Sequence, residues 1–310
     1  MASNNPISRE EEPEESRETI GGPGPSKLPA GLYLVATPIG NLGDISRRAV
    51  ATLERADRIA AEDTRTTRKL LAALGVPARR LERYDDHADD AARARLVAAI
   101  AAGEAVALVS DAGMPLIADP GYKLVRAARA AGLRVTAVPG ASAPLMALAL
   151  SGLPTDRFFF GGFLPAKAGA RRTAIAALAA IDATLVLFEA PQRLAESLAD
   201  LAAGLGARRP AAIARELTKL FEELRTGSLA DLAAHYAAVP QPKGEIVVVI
   251  GGPVEADAVA TDDAAIDRQL RAAMATMSLR DAVAAVAGAT GQPKRAIYAR
   301  ALALGTSSRP

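Results

Sequence analysis

The sequence predicts two α/β domains followed by a small helical section. Short apolar runs alternate with helix-forming stretches from Leu32 to Val138, as in domains with a mostly parallel sheet. A second alternation of the same kind runs from about residue 156 to residue 252. Beyond residue 262 the sequence favours helices alone, and the 310 residues of the chain are enough for two hydrophobic cores.

The predicted domain organisation has five segments. Residues 1–28 are polar and rich in Pro, Gly, Ser and Glu, and they predict a disordered tail with a net charge of −3. The first α/β domain spans 29–150 and the second spans 151–252. A linker at 253–262 leads to the helical section at 263–310.

The composition excludes several kinds of site. The chain has no cysteine, which excludes disulfides, thiolate metal sites and cysteine nucleophiles. It has two histidines, so we expect no metal centre. Aromatic residues make up 4% of the chain, which argues against base stacking as a main mode of binding any nucleic acid. No apolar run is long enough to cross a bilayer, so we expect no membrane association and a cytoplasmic location.

The first domain is predicted to begin with a buried strand at Leu32. Asp44 is predicted to cap the helix that follows, and a glycine comes after each of the three later helices. The predicted strands are 32–37, 57–61, 105–109 and 134–138. The predicted helices are 45–55, 64–74, 89–102 and 121–131.

The second domain and the C-terminal section follow the same rules. The predicted strands are 158–160, 184–188, 211–214 and 245–250, and the predicted helices are 167–180, 192–203 and 228–237. Ser278 and Asp281 form a predicted capping box at the start of a C-terminal helix. Short helices around a tight glycine turn fit a helix-turn-helix-like unit, and residues 263–310 carry seven basic and three acidic side chains.

Three predicted strands of the first domain end in loops that contain Gly and Pro. These loops lie at 37–44, 110–121 and 139–140, and ligands bind at such carboxyl ends of parallel strands, so we expect one shared cleft. The first loop is either an ordinary turn between a strand and a helix, or a site where the backbone closely approaches an anionic ligand. The second loop fits a rigid capped loop as well as a site for a ligand with an amino acid portion and a sugar.

Charged residues near these loops leave two interpretations open. Glu62 and Asp63 follow the second strand, where they begin a helix, act as general bases or bind polar groups of a substrate. His87 is a base near neutral pH or a surface residue. The stretch 157–181 carries four basic side chains and no acid, which fits a solvated helix face or a phosphate track. These patterns predict a polar cleft and leave its ligand unidentified.

Several segments occur together in the order and spacing of one family. They are LVATPIGNL at 34–42, AEDTR at 61–65, LVSDAG at 108–113, PLI at 115–117, DPG at 119–121, GFLP at 162–165 and RELTK at 215–219. With these segments the chain resembles the tetrapyrrole methylase superfamily, and within it the enzymes that 2′-O-methylate a cytidine of 16S rRNA. The resemblance runs from about Leu32 to Ile250, and more loosely to Leu304.

The resemblance implies S-adenosylmethionine in a cleft between two α/β domains, and a homodimer that acts on 16S rRNA or the small ribosomal subunit. The residues that we expect to bind the cofactor are Thr37, Pro38, Gly40, Asp111, Gly113, Met114, Pro115, Ile117, Ser142, Ala143, Glu189 and Arg215.

Methyl transfer to a hydroxyl needs a proton acceptor, and the chain offers several candidates. Asp63 and Glu62 come first, then His87, and Lys219 is expected to position or polarise the hydroxyl. The expected RNA-binding residues are Arg65, Lys167, Arg171, Arg172, Lys243, Lys294 and Arg295.

The chain departs from the family pattern at three places. The family often has a Ser and a His within 189–193, a Thr at Met114 and a Pro at Ala141. These departures affect side-chain contacts, whereas backbone contacts would be kept. Two other interpretations stay open: a methyltransferase for a tetrapyrrole precursor, and a non-catalytic sensor or RNA-binding module that uses the same cleft. The basic stretches favour RNA.

Overall fold

A computed structural model gives the architecture of the chain. It describes residues 27–78, 80–85, 89–253, 263–290 and 294–306. Internal contacts divide the chain into two units. The first contains 27–35, 46–111 and 120–139, and the second contains 36–45, 112–119 and the residues from 140 onward. The predicted domain boundaries stay a prediction, and nearly all of the predicted tail and linker lies outside the described residues.

The first unit is built on a parallel five-stranded sheet. Its strands are β1 (Gly31–Val35), β2 (Arg58–Ala61), β3 (Leu81–Arg83), β4 (Ala105–Val109) and β5 (Val135–Val138), in the order β3-β2-β4-β1-β5. Its helices are α1 (Arg47–Arg55), α2 (Thr64–Ala73), α3 (Asp90–Ala101) and α4 (Tyr122–Ala130). Each helix connects two strands, because parallel neighbours need a crossover. All strands therefore end at one edge, where the predicted loops begin.

The predicted elements of this unit are confirmed with two corrections. The short edge strand β3 was not predicted. The predicted cap Asp44 is wrong, because this residue ends a 3₁₀ turn that Asn41 caps. The cap of α1 is Ser46, whose Oγ accepts a hydrogen bond from the backbone N–H of Ala49 at 3.1 Å. Asp63 caps α2, as its position just before the helix allows.

The second unit contains a mixed five-stranded sheet. Its strands are β6 (Phe158–Phe163), β7 (Thr184–Glu189), β8 (Pro210–Arg215), β9 (Glu223–Ser228) and β10 (Ile246–Ile250), in the order β6-β7-β10-β8-β9. Its helices are α5 (Ala143–Leu150), α6 (Ala168–Leu178), α7 (Leu194–Leu205) and α8 (Leu229–Ala238). Only β6 and β7 are parallel, and the three other pairs are antiparallel.

Both faces of this sheet are buried, which explains the uninterrupted apolar run of β10. Ile246, Val248 and Ile250 pack with side chains of α6, α7 and α8. The alternating residues Val247 and Val249 pack in a second cluster with side chains of α5. Because successive side chains of a strand point to opposite faces, a strand between two layers must be apolar at every position.

Three C-terminal helices complete the described part of the chain. They are α9 (Asp263–Met274), α10 (Leu279–Thr290) and α11 (Lys294–Thr306), and they form a small core of their own from residues such as Leu270, Val286 and Ile297. The predicted Ser278 cap is confirmed, because its Oγ accepts from the Asp281 N–H at 3.2 Å. None of the helices described is long and apolar enough to span a membrane.

Candidate active site

The loops after β2 and β4 meet through their acidic residues in the first unit. The backbone N–H of Asp63 donates to Asp111 Oδ1 at 3.2 Å, and the N–H of Asp111 donates to Glu62 Oε2 at 3.4 Å. These contacts hold three carboxyl groups beside a cavity of about 590 Å³. The residues that line this carboxylate cavity are Glu62, Asp63, Thr64, Arg65, Arg83, Asp85 and Asp111.

Asp63 is engaged on both of its carboxylate oxygens. Oδ1 accepts from the backbone N–H of Arg65 at 2.8 Å, and the Arg65 guanidinium contacts both oxygens at 2.8 to 3.2 Å. The side-chain and backbone hydrogen bonds from Arg65 lower the pKa of Asp63 to about 2. A carboxylate with so low a pKa is a weak proton acceptor, which argues against the role predicted for Asp63.

Asp111 differs electrostatically from Asp63 although the two are neighbours. Partial desolvation of the carboxyl raises the pKa of Asp111, although the residue as a whole is exposed, and the hydrogen bond from the Asp63 backbone only partly offsets this effect. Asp111 is therefore the better proton acceptor of the two. The predicted base His87 lies outside the described residues.

In the second unit, a backbone bridge joins the residues after β1 to those after β4. The N–H of Thr37 donates to Gly113 O at 2.8 Å, and the N–H of Gly113 donates to Thr37 O at 3.1 Å. Thr37 and Pro115 are buried, whereas Ile117 is 40% exposed. Both hydrogen bonds of this bridge join backbone groups, in keeping with the expectation that backbone contacts hold the cofactor.

Backbone strain is concentrated in two loops of this unit. Leu116 and Ala118 have φ values of 74° and 63°, and Glu216 and Thr218 have φ values of 51° and 67°. Among the residues that the structure describes, only one other non-glycine residue, Arg80, has a positive φ. Such conformations cost about 1–3 kcal/mol each and cluster at functional sites. Both loops belong to segments that we predicted to bind the cofactor or substrate.

Lys219 is held in an ionic cluster against the 37–44 loop. Its Nζ donates to Glu216 Oε1 at 2.7 Å and to Glu245 Oε2 at 3.1 Å. Its aliphatic chain crosses Gly40, where a Cβ atom would lie 2.3 Å from Lys219 Cγ. Burial alone would lower the pKa of Lys219, but the hydrogen bonds to Glu216 and Glu245 outweigh this effect and raise it. Lys219 is therefore a cation that can polarise a hydroxyl, and it is no proton acceptor.

The N-terminus of α5 presents a second concave surface of about 430 Å³. Ser142 is the N-cap residue, yet its side chain caps no backbone amide of the helix. Gly140 lies so close to Ala36 that a Cβ atom would be 2.8 Å from the Ala36 Cβ. Helix N-terminal amides attract anions, and the neighbouring Met146 and Leu145 add apolar surface. The amides and apolar side chains fit a ligand that combines a carboxylate with an apolar portion, whereas Asp44 adds a negative charge to the same surface.

Two predicted cofactor contacts in the second unit use side chains that are already engaged. Glu189 is 3% exposed, and its carboxylate accepts from the N–H of Ala190 at 2.7 Å, from Ser197 Oγ at 2.5 Å and from Arg193 at 2.7 Å. The Glu189 carboxylate is thus engaged within the second unit, and the prediction that Glu189 contacts the cofactor stays a prediction. Arg215 donates to Glu223 at 2.9 Å and to the Lys243 carbonyl at 3.1 Å.

The predicted RNA-binding residues divide into exposed and buried ones. Arg171 is 3% exposed and donates to Asp200 at 2.7 Å, so the prediction that it contacts RNA is wrong. It joins α6 to α7 instead. The exposed candidates are Arg65, Lys167, Arg172, Lys243, Lys294 and Arg295. Among the residues described, no group of three or more acidic or histidine side chains is arranged to hold a metal ion.

A family model for Tetrapyrrole (Corrin/Porphyrin) Methylases matches residues 31–233. The chain belongs to this methylase family. A second model, the RsmI C-terminal HTH domain, matches residues 260–305 of the methylase, over the C-terminal helices for which we predicted a helix-turn-helix-like unit.

Known relatives of the methylase agree in name. It is 52% identical to the ribosomal RNA small subunit methyltransferase I of Mesorhizobium japonicum, over 92% of this chain and 97% of that protein. It is 55% identical to the protein of the same name from Erythrobacter litoralis, over 90% and 97%. The uroporphyrin-III-C-methyltransferase structure from Thermus thermophilus covers 72% of the methylase and 94% of its own chain, with 24% identity and a TM-score of 0.51. That likeness establishes the fold, as predicted.

Proposed function

We propose that this methylase transfers the methyl group of S-adenosylmethionine to ribosomal RNA of the small subunit. The observation that carries the proposal is the identity of 52% and 55%, over nearly the whole chain, to proteins named ribosomal RNA small subunit methyltransferase I. In finer detail, we propose that the acceptor is the 2′-oxygen of one cytidine ribose in 16S rRNA.

The cofactor would be held mainly by backbone groups of the second unit. The bridge between Thr37 and Gly113 orders the loop that includes Pro38 and Gly40, and the strained loop continues through Ile117. The amides of Ser142 and Ala143 at the start of α5 suit the carboxylate of the methionine portion. S-adenosylmethionine supplies a methyl group that its sulfonium already activates, so the protein must chiefly align the hydroxyl, which contributes about 7–11 kcal/mol.

The carboxylate cavity of the first unit would receive the ribose. The methyl carbon would pass to the 2′-oxygen as its bond to the sulfonium sulfur breaks, and the sulfur would leave as a neutral thioether. A nearby carboxylate would accept the proton that the hydroxyl loses. We propose Asp111 for this step, in place of the cofactor contact predicted for it, with Glu62 as its neighbour, because Asp63 is engaged by Arg65. In the second unit, the salt bridges to Glu216 and Glu245 hold Lys219 as a cation, and its role of positioning or polarising the hydroxyl stays a prediction.

The test is methyl transfer from labelled S-adenosylmethionine to small ribosomal subunits purified from a strain that lacks this gene. We expect label on the 2′-oxygen of a single cytidine. Subunits from the parent strain are the control and should accept no label, because their site is already methylated. If subunits and naked 16S rRNA both stay unlabelled while the cofactor binds, the proposed substrate is wrong.

A tetrapyrrole precursor is the alternative substrate, and it has less support. The likeness to the uroporphyrin-III-C-methyltransferase is at 24% identity and concerns the fold alone. The match to the helix-turn-helix model and the exposed cations Lys294 and Arg295 on α11 favour RNA instead. A non-catalytic RNA-binding protein would bind both ligands without turnover, which the labelling experiment detects directly.

We also propose that the protein is a cytoplasmic homodimer, in keeping with a ribosomal substrate. The second unit exposes large apolar side chains that a second copy would cover, among them Phe163, Leu220 and Phe221, with exposures of 57%, 90% and 69%. Light scattering on the purified protein tests the dimer. A monomer at micromolar concentration would contradict this part of the proposal.

A further inference from the structure

Helix α2 carries a basic face that the fold itself does not use. Arg65, Arg68 and Lys69 stand three and four residues apart, so they lie on one side of the helix, and all three are exposed. The opposite side packs through Thr67 and Leu71, which are buried. The cations are therefore not needed to bury the helix.

These cations have little local compensation. Within Thr64–Ala73 there is no acidic residue, and Arg65 pairs with the cap Asp63. In the part of the chain that the structure describes, neither Arg68 nor Lys69 forms an ion pair. Like charges at this spacing repel each other, so an anionic ligand on this face would relieve the repulsion.

The basic face borders a concave surface next to the carboxylate cavity. This concavity measures about 680 Å³ and is lined by Asp63, Arg65, Thr66, Arg68, Lys69 and Ala72. Asp63 and Arg65 line both hollows, so the basic groove leads directly to the cavity proposed for the ribose. The carboxylates of the cavity would repel a phosphate, whereas the cations of the groove beside it would attract one.

We propose that the α2 groove binds phosphates of the RNA segment that adjoins the methylated nucleotide. Arg68 and Lys69 supply the charge, and Arg65 stands at the junction of the groove and the cavity. The inference rests on the proposed function and adds a defined path for the RNA backbone. A polyanion fits better than a single phosphate, because the cations form a row along the helix rather than one pocket.

The test uses a double variant that carries both Arg68→Gln and Lys69→Gln, and it compares this variant with a matched control. The control is Lys123→Gln with Arg126→Gln on α4, which removes the same charge from two exposed residues of a helix that packs on α3 and β5. Binding to small subunits from the gene-deletion strain is measured from about 50 to about 200 mM salt at constant Mg²⁺, a range over which phosphate contacts change affinity strongly. Cofactor binding and the thermal midpoint are measured alongside.

We expect the double variant to reduce the slope of log affinity against log salt by about 1.4, since each single-strand phosphate contact contributes about 0.7. Its cofactor affinity and thermal midpoint should match the wild type. An unchanged slope, or an equal reduction in the α4 control, overturns the inference. Failure of the wild type to methylate subunits instead contradicts the proposed function, and the slopes of the two variants still decide whether the α2 groove holds RNA.

Discussion

Gly40 matters because Lys219 occupies the space where a side chain would be. A Cβ at residue 40 would lie 2.3 Å from Lys219 Cγ, so Lys219 must shift away from Glu216 and Glu245. We expect Gly40→Ala to destabilise the protein by about 1–3 kcal/mol, the usual cost of overpacking, and to weaken S-adenosylmethionine binding. Thermal unfolding and calorimetric titration measure both effects.

A matched control for this substitution lies on α6. At Gly169 a Cβ would meet nothing within 4 Å, so Gly169→Ala removes a flexible residue without a clash. It should leave cofactor binding unchanged and stabilise the protein by about 0.5–1 kcal/mol. If both variants behave alike, the packing of Lys219 on Gly40 has no functional importance.

The roles of Asp111 and Asp63 can be distinguished by replacing each in turn with the isosteric Asn. We expect Asp111→Asn to lower turnover about 10²–10⁴-fold with a small change in cofactor affinity, as for the loss of a general base. Asp63→Asn should have a smaller effect, because Asn remains a good helix cap. Single-turnover rates on small subunits, with cofactor affinity measured in parallel, make the comparison. Equal losses of turnover in both variants would contradict the assignment of Asp111.

The pH dependence provides a second readout for the same pair. Asp63 has a pKa of about 2, so its stabilising contribution is complete above its unfolded value near 4 and is lost as the pH falls toward 2. It therefore cannot produce an acidic limb in a rate profile between about pH 4 and pH 7. Asp111, whose pKa is raised, can produce such an acidic limb. The limb should therefore persist in the rate profile of Asp63→Asn and disappear from that of Asp111→Asn.

At the scale of elements, Arg171 tests the contact between α6 and α7. Its guanidinium is buried and paired with Asp200, so Arg171→Ala should cost about 3 kcal/mol, near the lower end for a broken buried pair, since Asp200 keeps some exposure. The neighbouring Arg172 is 66% exposed in its side chain, and Arg172→Ala should change stability by less than about 0.5 kcal/mol. Denaturant unfolding of both variants checks this contrast.

The buried strands and most helices were predictable because burial leaves a pattern in the sequence. The elements that were not predicted lack such a pattern. Strand β3 has three residues at a sheet edge, and β9, also at an edge, carries Glu223, Arg225 and Thr226 and little apolar sequence. Helix α5 is apolar on nearly every side, so it has no helical period to read.

The site was only partly predictable for a related reason. The loops could be identified, because Gly, Pro and Asp cluster after apolar runs. Whether a charged side chain faces solvent or a partner depends on residues far along the chain: Arg171 pairs with a residue 29 positions away, and Glu189 accepts from Ser197 across a helix start. The basic stretch 157–181 fitted a solvated helix face or a phosphate track, and neither interpretation anticipated that Arg171 would be buried.

At the scale of the whole molecule, the C-terminal helices should act as a separable RNA contact. They have a core of their own, and residues 260–305 match the helix-turn-helix model. We expect a chain ending at residue 253 to keep its cofactor affinity and to bind small subunits more weakly, with a shallower salt dependence. Filter binding and calorimetry measure the two properties. Loss of cofactor binding in a folded truncated chain would contradict this division of roles.

The path of the chain limits how this protein can change by recombination. Segments 36–45 and 112–119 belong by their contacts to the second unit, although the strands before them belong to the first. No single breakpoint between two homologous genes would exchange one unit intact, since a fragment covering 27–139 always brings both inserted segments with it. The two units are therefore inherited as a pair, and residues on the inserted segments, such as Gly40, must coevolve with partners like Lys219 that lie far along the gene.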